Sequence, residues 1–198
     1  MTLLPQALQP ALQVADGFAT PDECAAVLAR FGDGAWVEAH ADFHGWDGHG
    51  FVAEVEASQD PALDALCRRM EAQIGRPSAG RRTLRLRYYQ EGQGHPLHCD
   101  AYEIEGLQLQ VTALLYLMDT EAGGETRFPK ARPAPVSVAP RLGRVVVWTS
   151  TLPDGRPDPA SVHDAAPVIR GAKAALLGFV YGPPPEPLRG LATEAPVP

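Results

Sequence analysis

Hydrophobic and polar positions along this chain follow a helical period before residue 80 and a period of two after it. Cys24, Val27, Leu28 and Phe31 recur at helical spacing behind Thr20-Pro21-Asp22-Glu23. In that start Thr caps, Pro takes the first helical position, and the acids face the positive end of the dipole. Gly32 and Gly34 close this helix. Leu63, Leu66, Cys67, Met70 and Ile74 form a second stripe behind a cap at Ser58 or Asp60, and Gly75-Arg76-Pro77 ends it. Short strands are expected around 12–18 and 51–55. From residue 82, Leu84, Leu86 and Tyr88 alternate with Arg85, Arg87 and Tyr89. Further strands are expected at 96–100, 107–117, 126–128, 135–138, 144–149 and 171–181, punctuated by Gly, Pro and Asp. Many short strands of this kind predict an antiparallel sandwich or barrel.

A chain of 198 residues buries a substantial core and fits one domain. The expected domain is 1–185, with helical support over roughly 1–80, a strand core over roughly 82–182, and a Pro/Ala-rich tail at 186–198. The net charge of -7 argues against a general phosphate-backbone binder. No apolar run approaches the ~20 residues of a membrane span, and the start lacks a basic-then-apolar leader, so a soluble cytoplasmic protein is expected. Cys24, Cys67 and Cys99 are too scattered for a disulfide framework and read as reduced, buried thiols. Oligomeric state is not legible.

The densest chemistry sits at His98-Cys99-Asp100, with His163 and Lys173 downstream. On a strand, residues i and i+2 point to one face, so His98 and Asp100 can reach one metal while Cys99 points away. A histidine from a distant strand completes two imidazoles and a carboxylate, the facial set of non-haem Fe(II) oxygenases, which leaves open coordination positions. Lys173 is one of only two lysines, the other being Lys130. It shares a strand face with Ala175, Leu177, Phe179 and Tyr181, and a cation among inward apolar residues needs an anionic partner. No acid nearby in sequence supplies one, so a dicarboxylate ligand fits. Thr112, Leu114 and Tyr116 share another face and offer a pair of hydroxyls.

The words YYQEGQGHPLHCD (88–100), TALLYL (112–117), GGETRFP (123–129), PRLG (140–143) and SVHDAAPVIRGAK (161–173) appear in this order. Together they resemble the 2-oxoglutarate- and Fe(II)-dependent oxygenases, most closely the prolyl 4-hydroxylase-like branch. The resemblance covers about half the chain. It implies a mainly β, α+β fold with N-terminal helices and a double-stranded β-helix (jelly-roll, cupin-like) core. It carries iron onto His98, Asp100 and His163. The distal carboxylate of 2-oxoglutarate falls to Lys173, assisted by Tyr116 and Thr126. Tyr89 matches an aromatic near the active-site mouth and joins the cosubstrate group. The implied cofactors are Fe(II), 2-oxoglutarate and O2, with ascorbate as a further candidate. The implied reaction is hydroxylation of an unactivated C–H bond. Asp100 favours hydroxylation over halogenation, because its carboxylate fills a position that halogenating relatives leave to halide.

Four positions depart from the branch's usual words: His95, Leu109, Ala174 and Phe179 stand where a tyrosine or phenylalanine, an arginine and two tryptophans are common. None is a metal ligand. The arginine and the aromatics belong largely to the substrate side, so the substrate stays open between a prolyl or other residue in a protein or peptide and a free amino acid or small molecule. A non-catalytic jelly-roll that binds or senses 2-oxoglutarate is the alternative from another class. No nucleic-acid or membrane partner is expected. His95 is a candidate substrate or cosubstrate contact. Residues 40–50, rich in glycine, read as a mobile loop in which Phe43 and Trp46 suit a lid over substrate. His40, His44, His49, Asp42 and Asp47 have a metal-binding composition, but the glycines argue against a preorganised second site.

Overall fold

The computed structural model describes residues 2–3, 10–30, 37–38, 50–80 and 82–185. Phe31, Gly32, Gly34, residues 39–49 with His40, Phe43 and Trp46, and residues 186–198 lie outside the described residues.

Helix α1 (Pro21–Arg30) begins where the sequence places it. Thr20 Oγ1 accepts from the Glu23 amide at 3.2 Å, and Glu23 accepts from the Thr20 amide at 2.8 Å, closing a reciprocal capping box. Asp60, not Ser58, caps α2 (Pro61–Ile74), accepting from the amides of Ala62 and Leu63; left-handed Gly75 ends it. Both helices pack their apolar stripes on one face of a large antiparallel sheet.

Among the described residues that sheet runs β1 (Thr2–Leu3), β2 (Leu12–Ala15), β12 (Val145–Thr149), β8 (Leu107–Tyr116), β15 (Lys173–Gly182), β5 (Thr83–Tyr89), β4 (Phe51–Glu56) and β3 (Val37–Glu38), with β7 (Glu103–Ile104) paired to β8. A second sheet runs β11 (Val136–Val138), β10 (Thr126–Phe128), β13 (His163–Ala165) and β6 (His95–His98). β9 (Ala122–Gly123) and β14 (Val168–Arg170) form a separate pair. The segment before residue 80 therefore contributes sheet strands as well as supporting helices.

Side-chain alternation divides the large sheet into two buried faces. Leu84, Leu86, Ala113, Leu115, Val145, Val147, Ala174 and Leu176 face the helices. Leu114, Tyr116, Val146, Trp148 and Ala175 face the second sheet, where Phe128 and Val138 meet them. Near-continuous burial along β8 follows from cover on both sides. Residues of both sheets line a cavity of about 750 Å³. Arg85, Arg87 and Tyr89 point into it, so the polar half of the β5 alternation marks the cavity wall and not an outer surface. No helix among the described residues is long and apolar enough to cross a membrane.

Candidate active site

The pairing of β6 with β13 sets His98 directly opposite His163, with ring centroids 4.3 Å apart. Strand β6 ends at His98, so Asp100 is not on the strand that the i, i+2 argument assumed. Its position comes from outside the strand: Thr112 Oγ1, on β8, donates to Asp100 Oδ2 at 2.8 Å. The donor atoms of His98, Asp100 and His163 all lie within 4.8 Å of one another. His98 Nε2 is 3.3 Å from Asp100 Oδ1, and His163 Nε2 is 3.7 Å from Asp100 Oδ2. Metal–ligand bonds of about 2.1 Å at right angles would put donors about 3 Å apart.

The tautomers follow from the backbone. His163 Nδ1 meets the Ser161 carbonyl at 2.9 Å, and His98 Nδ1 meets the Pro96 carbonyl at 2.8 Å. A carbonyl oxygen only accepts, so each Nδ1 carries a hydrogen and each Nε2 faces Asp100, as a lone pair when the ring is neutral and as an N–H when it is protonated. With both rings neutral, two lone pairs and a carboxylate converge in one buried spot, an arrangement that either protons or a metal cation would relieve. Burial disfavours the charged form of Asp100, yet in the metal-free site the protonated forms of His163 and His98, together with hydrogen bonds from His98 Nε2–H and Thr112, hold its carboxyl well below the usual range. Burial lowers the pKa of His163, reinforced by His98; for His98 burial is outweighed by Asp100, which raises it. Trp148 and Phe128 hold the His163 ring in place, with centroids at 4.7 and 5.5 Å.

Lys173 is 1% exposed. Its Nζ donates to the Gly124 carbonyl at 2.7 Å and lies over the rings of Tyr89 and Tyr116 at 5.4 and 5.5 Å. The GGET word explains that carbonyl: Gly123 and Gly124 both adopt positive φ, and a Cβ on Gly123 would collide with the Pro167 carbonyl. No carboxylate among the described residues reaches the ammonium, and burial pushes its pKa down to about 7, with Glu125 and Asp164 opposing only partly.

The remaining expected residues fall at different depths. Tyr89 is buried beside Lys173, deep in the cavity and not at its mouth. Thr126 lines the cavity. The Tyr116 hydroxyl is already engaged, meeting Thr126 Oγ1 at 2.7 Å and donating to the Val138 carbonyl at 3.0 Å, so Tyr116 flanks Lys173 with its ring. The hydroxyl pair read from β8 is split: Thr112 serves Asp100 and Tyr116 serves Thr126. His95 lines the cavity with Nδ1 3.2 Å from that of His98, and Phe179 lines it too. Phe43 and Trp46 lie outside the described residues. Cys99, half-buried and not fully buried as expected, has Sγ 3.3 Å from Ser161 Oγ; Cys24, Cys67 and Cys99 are all free thiols.

Thr112, Trp148 and Arg87 escaped the sequence reading as site residues. Thr112→Val should remove the hydrogen bond that orients Asp100 while keeping the side chain's shape. Its Mn(II) affinity, read by calorimetry, should fall about tenfold; unchanged affinity would contradict the orienting role.

Residues 84–181 match the family model described as the 2OG-Fe(II) oxygenase superfamily. The chain is 36% identical over 111 residues to probable prolyl 4-hydroxylase 3 of Arabidopsis thaliana, a match covering 46% of this chain and 39% of the relative. It is 26% identical over 204 residues to prolyl 4-hydroxylase 2 of the same plant, covering 87% of this chain and 68% of the relative. The chain thus spans about two fifths of the length of the first of these relatives. Among solved structures, the viral collagen prolyl hydroxylase of Paramecium Bursaria Chlorella virus-1, in its 2OG complex, superposes with a TM-score of 0.71 at 17% identity, covering 86% of this chain and 96% of the other. A prolyl-4-hydroxylase of Pseudomonas putida gives 0.64 at 19% identity, covering 89% and 95%. At these identities the superpositions speak for a shared fold.

Proposed function

We propose, because this chain belongs to the 2OG-Fe(II) oxygenase superfamily, that it is a 2-oxoglutarate-dependent dioxygenase that hydroxylates an unactivated C–H bond, acting like a prolyl 4-hydroxylase on a residue of a protein or peptide. The observation that carries this reading is the convergence of two imidazole nitrogens and one carboxylate, Nε2 of His98, Nε2 of His163 and Asp100, in one buried spot, with both Nδ1 atoms engaged by backbone carbonyls. The donor set fits Fe(II), which takes two imidazoles and a carboxylate on one face. When bound, the metal and 2-oxoglutarate supply the oxidising chemistry.

The side chains then have separable tasks. His98, Asp100 and His163 hold the metal, and Thr112 fixes the carboxylate's orientation. Lys173 binds the distal carboxylate of 2-oxoglutarate, with Thr126 and Tyr89 shaping that end of the cavity. Trp148, Leu114, Ala175 and Leu177 give it an apolar wall that excludes water. None of these needs to act as a general acid or base. Free thiols at Cys24, Cys67 and Cys99 fit a reducing, cytoplasmic setting.

Purified protein given Fe(II), ascorbate and 2-oxoglutarate should form succinate. Proline-containing peptides should accelerate it and gain one oxygen atom, as read by mass spectrometry. No succinate above a metal-free control would overturn the oxygenase reading; succinate stimulated by free amino acids but never by peptides would overturn the peptide part alone.

A further inference from the structure

Among the described residues, charged side chains lining the cavity pair off, with two exceptions. Glu54 binds Arg85 at 2.6 Å, and that guanidinium also stacks on Phe179, 5.3 Å from the ring centroid. Asp164 holds Arg127 through a two-bond fork at 2.6 and 2.9 Å. Asp100 belongs to the metal site. Lys173 and Arg87 are left over, and Lys173 faces the distal carboxylate of the cosubstrate.

Arg87 lies two residues from Arg85 on the same face of β5, yet its surroundings are unlike. Its cross-strand neighbours are Val52 on β4 and Ala175 on β15, both cavity-lining and apolar. Among the described residues no carboxylate lies within ion-pair distance of its guanidinium, and no hydrogen bond engages it. Tyr89 and Lys173 form the next row along the same wall, about 7 Å away by strand repeat. Arg87 therefore stands half-buried beside the cosubstrate end, its fork of donors unused, and small Ala175 leaves room in front of it.

Charge bookkeeping over the filled site identifies its partner. A divalent metal is balanced by Asp100 and the proximal carboxylate of 2-oxoglutarate, and Lys173 by the distal one. Arg85 and Arg127 are balanced within the protein. Among the described residues one positive charge remains, on a side chain that forms bidentate pairs with carboxylates.

We propose that Arg87 is the substrate-recognition group of this cavity and that the primary substrate carries a carboxylate, which Arg87 binds. This rests on the oxygenase reading above and narrows it: an internal prolyl residue flanked by neutral residues lacks such a group, whereas a free amino acid, a chain terminus or an acidic neighbour supplies one.

The test is calorimetric, on protein loaded with Mn(II) and 2-oxoglutarate so that binding is read without turnover. Three matched probes are titrated: N-acetyl-L-proline against N-acetyl-L-prolinamide, acetyl-Ala-Pro against its C-terminal amide, and acetyl-Pro-Glu-amide against acetyl-Pro-Gln-amide. At least one carboxylate should bind about tenfold or more tightly than its neutral partner. The pair that discriminates identifies the source as a small acid, a chain terminus or an acidic side chain. Arg87→Gln should bring the ratio to near one, and Arg87→Lys should retain part of it, because charge survives but the fork does not. Arg170→Gln, which removes an exposed partner of Glu121 outside the cavity lining, should leave the ratio intact. Equal or absent binding across all pairs would overturn the proposal, as would an Arg87→Gln protein that keeps the preference or loses 2-oxoglutarate affinity instead. Binding of Mn(II) and 2-oxoglutarate, and succinate formation by the same wild-type protein with Fe(II), are measured alongside. Their loss sinks the oxygenase reading; their presence without carboxylate preference sinks only this inference.

Discussion

His163→Ala should reduce succinate formation to background and weaken Mn(II) binding by more than about 100-fold. Loss of a hydrogen-bond partner behind a metal ligand already costs 10–100-fold as a rough guide, and here a ligand itself disappears. The fold should survive. His163 packs at the edge of the Phe128–Trp148 cluster, and the main core lies on the opposite face of the large sheet. Removing the ring leaves a small cavity beside Trp148 and Phe128 without touching the main core, so the metal-free variant should melt a few degrees below wild type and still unfold cooperatively. Metal titration by calorimetry and a thermal melt check both halves. A variant that folds and still turns over 2-oxoglutarate would remove His163 from the metal site.

Lys173→Met should raise the 2-oxoglutarate requirement by about 10²- to 10³-fold, the usual cost of taking one partner from a buried charge pair. Mn(II) affinity should barely move. The pH dependence gives a sharper signature. The unliganded lysine titrates at about 7 because it is buried, and the distal carboxylate binds only its ammonium form. Wild-type affinity for 2-oxoglutarate should therefore fall as pH rises above about 7, by up to about tenfold per unit, while Lys173→Met should be nearly flat. Stability has the opposite sign. The folded pKa lies below the ordinary 10.5, so between about pH 7 and 10.5 the unfolded chain binds the extra proton and unliganded protein gains stability as pH rises. Lys173→Met should accordingly stabilise unliganded protein at neutral pH. Calorimetry with 2-oxoglutarate from pH 6 to 9 and denaturation midpoints test both signs; equal loss of metal and cosubstrate binding would make the lysine structural.

Some of this site is legible in the sequence for physical reasons and some is not. Lys173 stands out because a lone cation in an apolar alternating strand has no other use for its charge. His98 and Asp100 stand out by spacing, although the reason differs: the strand stops at His98, and Thr112 across the fold holds the carboxylate. Thr112 itself was visible only as half of a hydroxyl pair, since nothing local signals a partner 12 residues away.

Arg85 and Arg87 were hidden by an ambiguity in two-residue periodicity. Alternating Leu and Arg looks the same whether the polar face meets solvent or a ligand cavity, and only the second sheet decides. Strands β7, β9, β13 and β14 have two or three residues each, too few for any period to register. The capped helices α1 and α2 were clear because their signals are local: Thr20 with Glu23, Asp60 with Pro61, and Gly75.

Anomalous scattering from crystals grown with Mn(II) and 2-oxoglutarate tests the metal assignment most directly. A peak bonded to Nε2 of His98, Nε2 of His163 and one oxygen of Asp100 is expected, with the keto acid reaching from it to Lys173. A peak elsewhere, such as at His95, or none between these three side chains, would contradict it.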